Sequence, residues 1–225
     1  ISIRKAIELN PNLFNSHFLL GTILLGQKKL QEAEQSLRKT IELKPDFAKA
    51  HLNLGAVLKD LGQLQEAEIS TRKSIEIKPD YADAHSNLGV LLNNQGKLKD
   101  AESSYSKAIG IKPDLAEANS NLGYLLIDLG KLEELLLLSE STLESRAINQ
   151  GYKLLASLEI TIAHFIRGNF SETLLNLNRT NQSIKRGDLN FIEENKNKKN
   201  TFFYSQFITS LYPLLEKENN NPDLE

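Results

Sequence analysis

Proline recurs at Pro11, Pro45, Pro79 and Pro113, each 34 residues after the last. Glycine keeps the same spacing at Gly21, Gly55, Gly89 and Gly123, and a second glycine column runs through Gly62, Gly96 and Gly130. Alanine adds a fourth column at Ala33, Ala67 and Ala101. Four columns on one period constrain the fold more than any other feature of the chain. Self-similarity at about 20–50 residues is the mark of a stacked array, in which each unit packs chiefly on its neighbours.

Each period reads as two helices. Proline stops the preceding helix, and the aspartate after it (Asp46, Asp80, Asp114) is placed to cap the next one. Asp114 and Glu117 have the spacing of a capping box. The first helix runs to the Gly62 column, where a residue tolerant of positive φ allows a tight turn. The second helix carries Ala67, Glu68, Arg72, Lys73, Ile75 and Ile77 up to the next proline.

The signature His51-x-x-Leu54-Gly55-x-x-Leu58, then Ala67, then Pro79, resembles the tetratricopeptide repeat. His17, His51 and His85 take the slot that is Trp in that family, and Leu24, Leu58, Leu92 and Leu126 the Tyr slot. The Phe slot varies, as Leu37, Thr71, Tyr105 and Ser139. The match covers residues 1–145, as the tail of one repeat and four further repeats. It implies an all-α chain, a right-handed α-solenoid of helix-turn-helix repeats with degenerate capping helices at the C-terminal end.

At about 100° per residue, His51, Leu54, Gly55 and Leu58 share one arc of the first helix and face the second. Gly55 lets the two backbones approach. Lys49, Asn53, Ala56 and Asp60 lie on the opposite arc, which in a stacked array lines a continuous concave surface. Along the stack that surface reads Leu19, Asn53, Asn87, Asn121 in one column and Thr22, Ala56, Val90, Tyr124 in the next. A third column is Asn15, Lys49, Asp83, Glu117, and a fourth is Gly26, Asp60, Asn94, Asp128. An asparagine side chain presents an acceptor oxygen and a donor nitrogen, the complement of a peptide group. The row is similar to the asparagine ladder of the O-GlcNAc transferase superhelix, and Ala84-His85-Ser86-Asn87-Leu88-Gly89 is similar to its repeats. That resemblance implies an extended polypeptide held by Asn53, Asn87 and Asn121, with Ala56, Val90 and Tyr124 as the apolar floor. Lys49, Asp83 and Glu117 would set the charge preference. The competing reading has the amides serving neighbouring helices or solvent. A carboxylate clamp is not expected: the relevant positions include Phe18, Leu52, Ser86 and Ser120, with Lys49 and Lys59 the main cations.

Composition excludes much else. Lys+Arg number 27 against 29 Asp+Glu, for a net charge of −2, so no basic field argues for nucleic acid. No apolar run approaches membrane-spanning length. With no cysteine among 225 residues, disulfides, thiolate catalysis and Cys-based zinc sites are ruled out. The histidine column cannot converge on one metal ion, because stacked helices stand about 8–10 Å apart whereas zinc holds nitrogens at about 2.0–2.1 Å; packing is the expected role. His164 sits in an apolar stretch and reads as packed. No nucleophile elbow or phosphate-binding glycine loop is present, so a non-enzymatic chain without cofactor is expected. Glu32/Glu34, Glu66/Glu68 and Glu133/Glu134 read as solvated second-helix faces, and Lys196, Lys198 and Lys199 as a solvated loop.

The repeat degrades after its fourth copy begins. Leu135 replaces the small alanine, Ala147 stands where proline is expected, and Leu135–Leu138 wraps a helix in leucine, so a C-terminal element must cover it. Residues 146–186 read as a degenerate hairpin with a longer first helix, turning at Gly168-Asn169-Phe170. Residues 187–218 read as a loop and an amphipathic helix bearing Phe203, Phe207, Leu211 and Leu215, kinked by Pro213. Residues 219–225 read as a linker or disordered tail. At the other end, Ile3, Ala6, Ile7 and Leu9 form a second helix without its partner, an apolar face for upstream repeats or a second copy. The chain starts at Ile1 and contains no methionine, which fits a processed or excised piece; cytoplasmic is the default location. The expected function is a protein–protein interaction scaffold. The alternatives are the substrate-recruiting segment of a larger enzyme such as a glycosyltransferase, or a self-association module.

Overall fold

A computed structural model describes residues 3–183. The chain divides into two compact units, residues 1–113 and 114–225. The polar stretch 187–200, the expected helix around Phe203–Leu215 and the tail 219–225 lie outside the described residues. The period in the sequence runs on to about residue 145, whereas the boundary between the units falls at Pro113/Asp114.

The first unit contains α1 (Ile3–Leu9), α2 (Phe14–Gly26), α3 (Leu30–Leu43), α4 (Ala48–Asp60), α5 (Leu64–Ile77), α6 (Ala82–Asn94) and α7 (Leu98–Ile111). Consecutive helices pack as pairs, α2 on α3, α4 on α5 and α6 on α7, and each pair packs on the next. Among the described residues the only regular secondary structure is α-helix, as the period requires. Leu24, Ala33, Leu37, Leu54, Val57, Leu58, Ala67 and Leu91 form a continuous core between the pairs. The glycine column sets the approach of each pair. A Cβ at Gly21 would stand 2.8 Å from Leu37, one at Gly55 would stand 2.3 Å from Thr71, and one at Gly89 would stand 2.6 Å from the Tyr105 ring. Ser70 and Ser74 then tie α5 to α4 through hydrogen bonds to the carbonyls of His51 and Ala48, at 2.9 and 2.8 Å.

The turn glycines Gly62 and Gly96 have φ of 79° and 75°, in the left-handed region that only glycine enters freely. The equivalent position in the first full pair is Lys28, which adopts φ 59°. Its amine reaches across to Asp60 at 2.9 Å.

The expected aspartate caps do not form. The cap positions of α4, α6 and α8 are Phe47, Tyr81 and Leu115, none of which makes a side-chain cap bond. Asp114 and Glu117 therefore do not make a capping box. Packing decides this position: Phe47 lies edge-on to Phe14 and Phe18 of the preceding pair, with centroids at 5.6 and 4.9 Å. Asp46 is left outside, paired with Lys44 at 3.1 Å. The entry loop is braced instead by the histidine column. The Nε2 atoms of His17, His51 and His85 lie 2.9, 2.8 and 2.9 Å from the carbonyl oxygens of Pro11, Pro45 and Pro79. The column thus has a packing role, and no cluster of metal-ligating side chains occurs among the described residues.

The paired acids are not simply solvated. Arg38 bridges Glu34 and Glu66 at 2.9 and 3.0 Å, and Arg72 pairs with Glu68 at 2.8 Å, also on the 34-residue grid. Burial would raise the Glu68 carboxyl, but hydrogen bonds from Arg72, Gln95 and Lys97 outweigh it and hold the group below the usual carboxylate range.

The second unit contains α8 (Ala116–Asp128), α9 (Leu132–Glu144), α10 (Gln150–Ile166) and α11 (Phe170–Ser183). Asn149 caps α10 properly, accepting from the Tyr152 amide at 3.1 Å. The α10–α11 hairpin turns at Gly168, φ 75°, and α10 at 17 residues is longer than the 13 of α8. The cover required by the leucine run is α10, which packs on both α9 and α8. Leu135 is fully buried while Leu137 stays 69% exposed. Ser139 does not fill the slot beside Gly123, as the period would have it. A Cβ at Gly123 would meet Glu159 of α10 at 2.5 Å. That carboxylate is 3% exposed and accepts a 2.7 Å hydrogen bond from the Ser139 hydroxyl. No described helix is long and apolar enough to cross a membrane.

Candidate functional site

In the first unit the first helices of successive pairs touch directly, α2 against α4 and α4 against α6. The side chains that point away from the second helices therefore form one face. On α4 that face holds Lys49 (exposed), Asn53 and Ala56 (half-buried) and Asp60; on α6 it holds Asp83 (exposed), Asn87 and Val90 (half-buried) and Asn94. On α2 the matching residues are Leu19, Thr22 and Gly26, all exposed. These are the residues the helical spacing assigned to one arc.

The two amides of the first unit differ in their partners. Asn53 donates from Nδ2 to the Thr22 hydroxyl of α2 at 3.1 Å. One period later the neighbour equivalent to Thr22 is Ala56, which has no polar side-chain atom. Asn87 accordingly makes no side-chain hydrogen bond among the described residues, although it is half-buried on an open face. Asn53 thus spends one N–H on its neighbour and keeps its acceptor oxygen, while Asn87 keeps its full complement. The Asn53–Thr22 bond is a contact to a neighbouring helix of the kind the competing reading expects of the amides.

Lys49 and Asp83 form no ion pair among the described residues, so their charges are available to a ligand. Asp83 adds to the effect of burial in pushing the Tyr81 phenol upward. Asp60 is committed to Lys28 at 2.9 Å and lies 3.7 Å from Lys59.

Three sequence-assigned residues belong to α8 of the second unit. Glu117 is exposed and Asn121 half-buried. Tyr124 was expected as an apolar floor, but it is only 8% exposed. Burial, assisted by Asp128, pushes its phenol up. At that exposure Tyr124 offers a ligand little area, whereas Ala56 and Val90 are half-buried.

A different feature went unread in the sequence. Between α3, α4 and α5, on the side opposite the amides, lies an open cleft of about 580 Å³. Its floor contains Ile41, Leu54 and Leu58, and Ile69 stands beside it 69% exposed. The signal was present only in part: the equivalent positions are Gln35 and Ser103 in the adjoining pairs but Leu137, also 69% exposed, in α9.

Three models of the tetratricopeptide repeat family match, over residues 3–35, 24–86 and 82–115. No curated protein sequence matches the chain. Among solved structures, that of MamA is 26% identical, with a TM-score of 0.59 over 63% of this chain and 83% of that one. YrrB, described as a TPR protein with an unusual peptide-binding site, is 19% identical, with a TM-score of 0.64 over 92% of this chain and 98% of its own. The first TPR of Spaghetti (RPAP3), solved with the HSP90 peptide SRMEEVD, is 20% identical, with a TM-score of 0.51 over 52% of this chain and 93% of that one. The helix pairs, the glycine contacts and these matches agree that the chain belongs to the tetratricopeptide repeat family.

Proposed function

We propose that this protein is a non-enzymatic interaction scaffold whose first unit holds an extended polypeptide on the face formed by α2, α4 and α6. The observation that carries the reading is the Asn87 amide, half-buried on an open face with no side-chain hydrogen-bond partner among the described residues. A partly desolvated amide without a partner gains from any ligand that supplies both a donor and an acceptor, and a peptide group supplies both. Asn53, with its oxygen still free of a side-chain donor, sits one repeat earlier on the same face. Ala56 and Val90 are small enough to let a backbone approach both amides. The exposed Leu19 favours an apolar ligand residue at the α2 end, and Lys49 and Asp83 set charge preference along the chain. That YrrB is described with a peptide-binding site and RPAP3 was solved with a bound peptide supports a peptide as the ligand class.

Because the amides recognise backbone, binding should be broad across sequences. The test is an array of fluorescent, random-sequence peptides probed with the protein and with Asn53→Ala/Asn87→Ala. The double variant should lose about tenfold in affinity, roughly one net hydrogen bond, with its melting temperature unchanged. Adding Asn121→Ala asks separately what the second unit contributes. Binding that survives the double variant, or that falls only in step with stability, rejects the reading.

A further inference from the structure

Independently of the amide face, the outer side of the first unit carries a knob and a hole on one patch. The hole is the cleft between α3, α4 and α5, of about 580 Å³, floored by Ile41, Leu54 and Leu58. The knob is Ile69, on the ridge between this cleft and a second one, of about 620 Å³, that reaches to Gln95 and Lys97. A β-branched aliphatic side chain left 69% exposed in the middle of a helix, at a position that is Gln35 and Ser103 in the adjoining pairs, is not required by the fold. The packing that buries Ala67, Ser70 and Thr71 is complete without it.

The rim of the cleft carries both signs: Arg38 and Lys73 against Glu42 and Glu66. Every one of these charges already has a partner within the chain. Arg38 meets Glu66 at 3.0 Å, Lys73 meets Glu76 at 2.7 Å, and Glu42 meets Lys39 at 2.6 Å. A strongly charged ligand would therefore find no net field to attract it. A surface bearing the same balanced pattern can meet this one with opposite charges facing. A single patch that supplies both an aliphatic projection and an apolar hollow meets the requirement of a two-fold contact, in which each copy presents the same surface.

From this geometry we infer that the outer face of α3 and α5 is a self-association surface: a second copy of the chain inserts its Ile69 into the cleft and receives Ile69 in return. The patch spans the second helices α3 and α5 and the α4 floor between them, so the contact is of the small, weak class and assembles as concentration rises. It leaves the amide face of α2, α4 and α6 free.

Sedimentation velocity from about 1 to about 500 µM, a range that spans weak dimer constants, tests this directly. The wild-type coefficient should rise towards that of a dimer. Ile69→Lys, and Ile69→Gln, which copies the residue at Gln35, should each weaken association by at least tenfold while keeping the helical circular-dichroism spectrum and melting temperature. Ile69→Leu should retain it, and Asn53→Ala/Asn87→Ala should associate as wild type while losing peptide. A wild type that stays monomeric across the range overturns the inference. So does undiminished association of the Ile69 variants, which would place the contact elsewhere, or loss of association only together with loss of fold. Protection of Ile69 by an array peptide in a monomeric protein would give the cleft a different occupant and overturn it equally.

Discussion

The two units solve the same packing problem in different ways. In the first, each glycine of the close-approach column faces a residue sixteen positions later on its own second helix: Gly21 faces Leu37, Gly55 faces Thr71 and Gly89 faces Tyr105. In the second, Gly123 faces Glu159, on a helix outside the repeat. The contrast shows that a glycine in this column fixes only that something approaches closely. What approaches is decided by whichever helix reaches the space, and in the second unit α10 reaches it and joins α9 through the Ser139–Glu159 hydrogen bond.

The sharpest way to break this comparison is to fill the glycines. Gly89→Ala drives a methyl into a Tyr105 ring that is 1% exposed and has nowhere to move. It should cost about 3 kcal/mol, the upper part of the overpacking range, read from the urea midpoint. Gly123→Ala should couple with Glu159→Ala by about 1–2 kcal/mol in a double-mutant cycle, and far less with Ser139→Gly. Coupling to Ser139 instead would restore the repeat's own register to the second unit. Next comes Thr71, fully buried, whose hydroxyl makes no hydrogen bond against Gly55. Thr71→Val should stabilise the first unit by about 1 kcal/mol, seen as a higher melting temperature. Lys28→Gly, which relieves φ 59° but gives up an exposed ion pair, should gain about 0.5 kcal/mol. Smallest is the acid limb of stability. Glu68 has a carboxyl held below its ordinary value of 4.5, so its contribution is present above that pH and is lost as pH falls through the lowered value. Glu68→Gln should flatten the decline in melting temperature below about pH 4.5.

These differences also mark what the sequence could show. The helix pairs and their turns were legible because the residues that impose them, Pro45, Gly55, Gly62 and Ala67, recur on one period and act locally. The face carrying Lys49, Asn53 and Ala56 followed from helical geometry alone. The caps were misread because propensity favours Asp46 there, whereas aromatic packing of Phe47 on Phe14 and Phe18 outweighs one cap bond. Glu159 was out of reach because it lies off the period, 36 residues from the glycine it fills against. The low exposure of Tyr124 was not legible from its column, because a ring gains more from burial than the side chains of Ala56 or Val90 do. The Ile69 cleft was not legible, because its floor comes from α3 and α4 while its knob and part of its rim come from α5.

The proposed function rests on amides that meet a peptide backbone. Side-chain NH₂ resonances of Asn53 and Asn87, followed by NMR while a binding peptide from the array is titrated in, test this most directly. Both Nδ2 pairs should shift in saturable fashion at the peptide's own dissociation constant, with Asn87, which has no protein side chain to release, moving further than Asn53. Saturation that leaves both pairs unmoved while the resonances of Ile69 respond would contradict it.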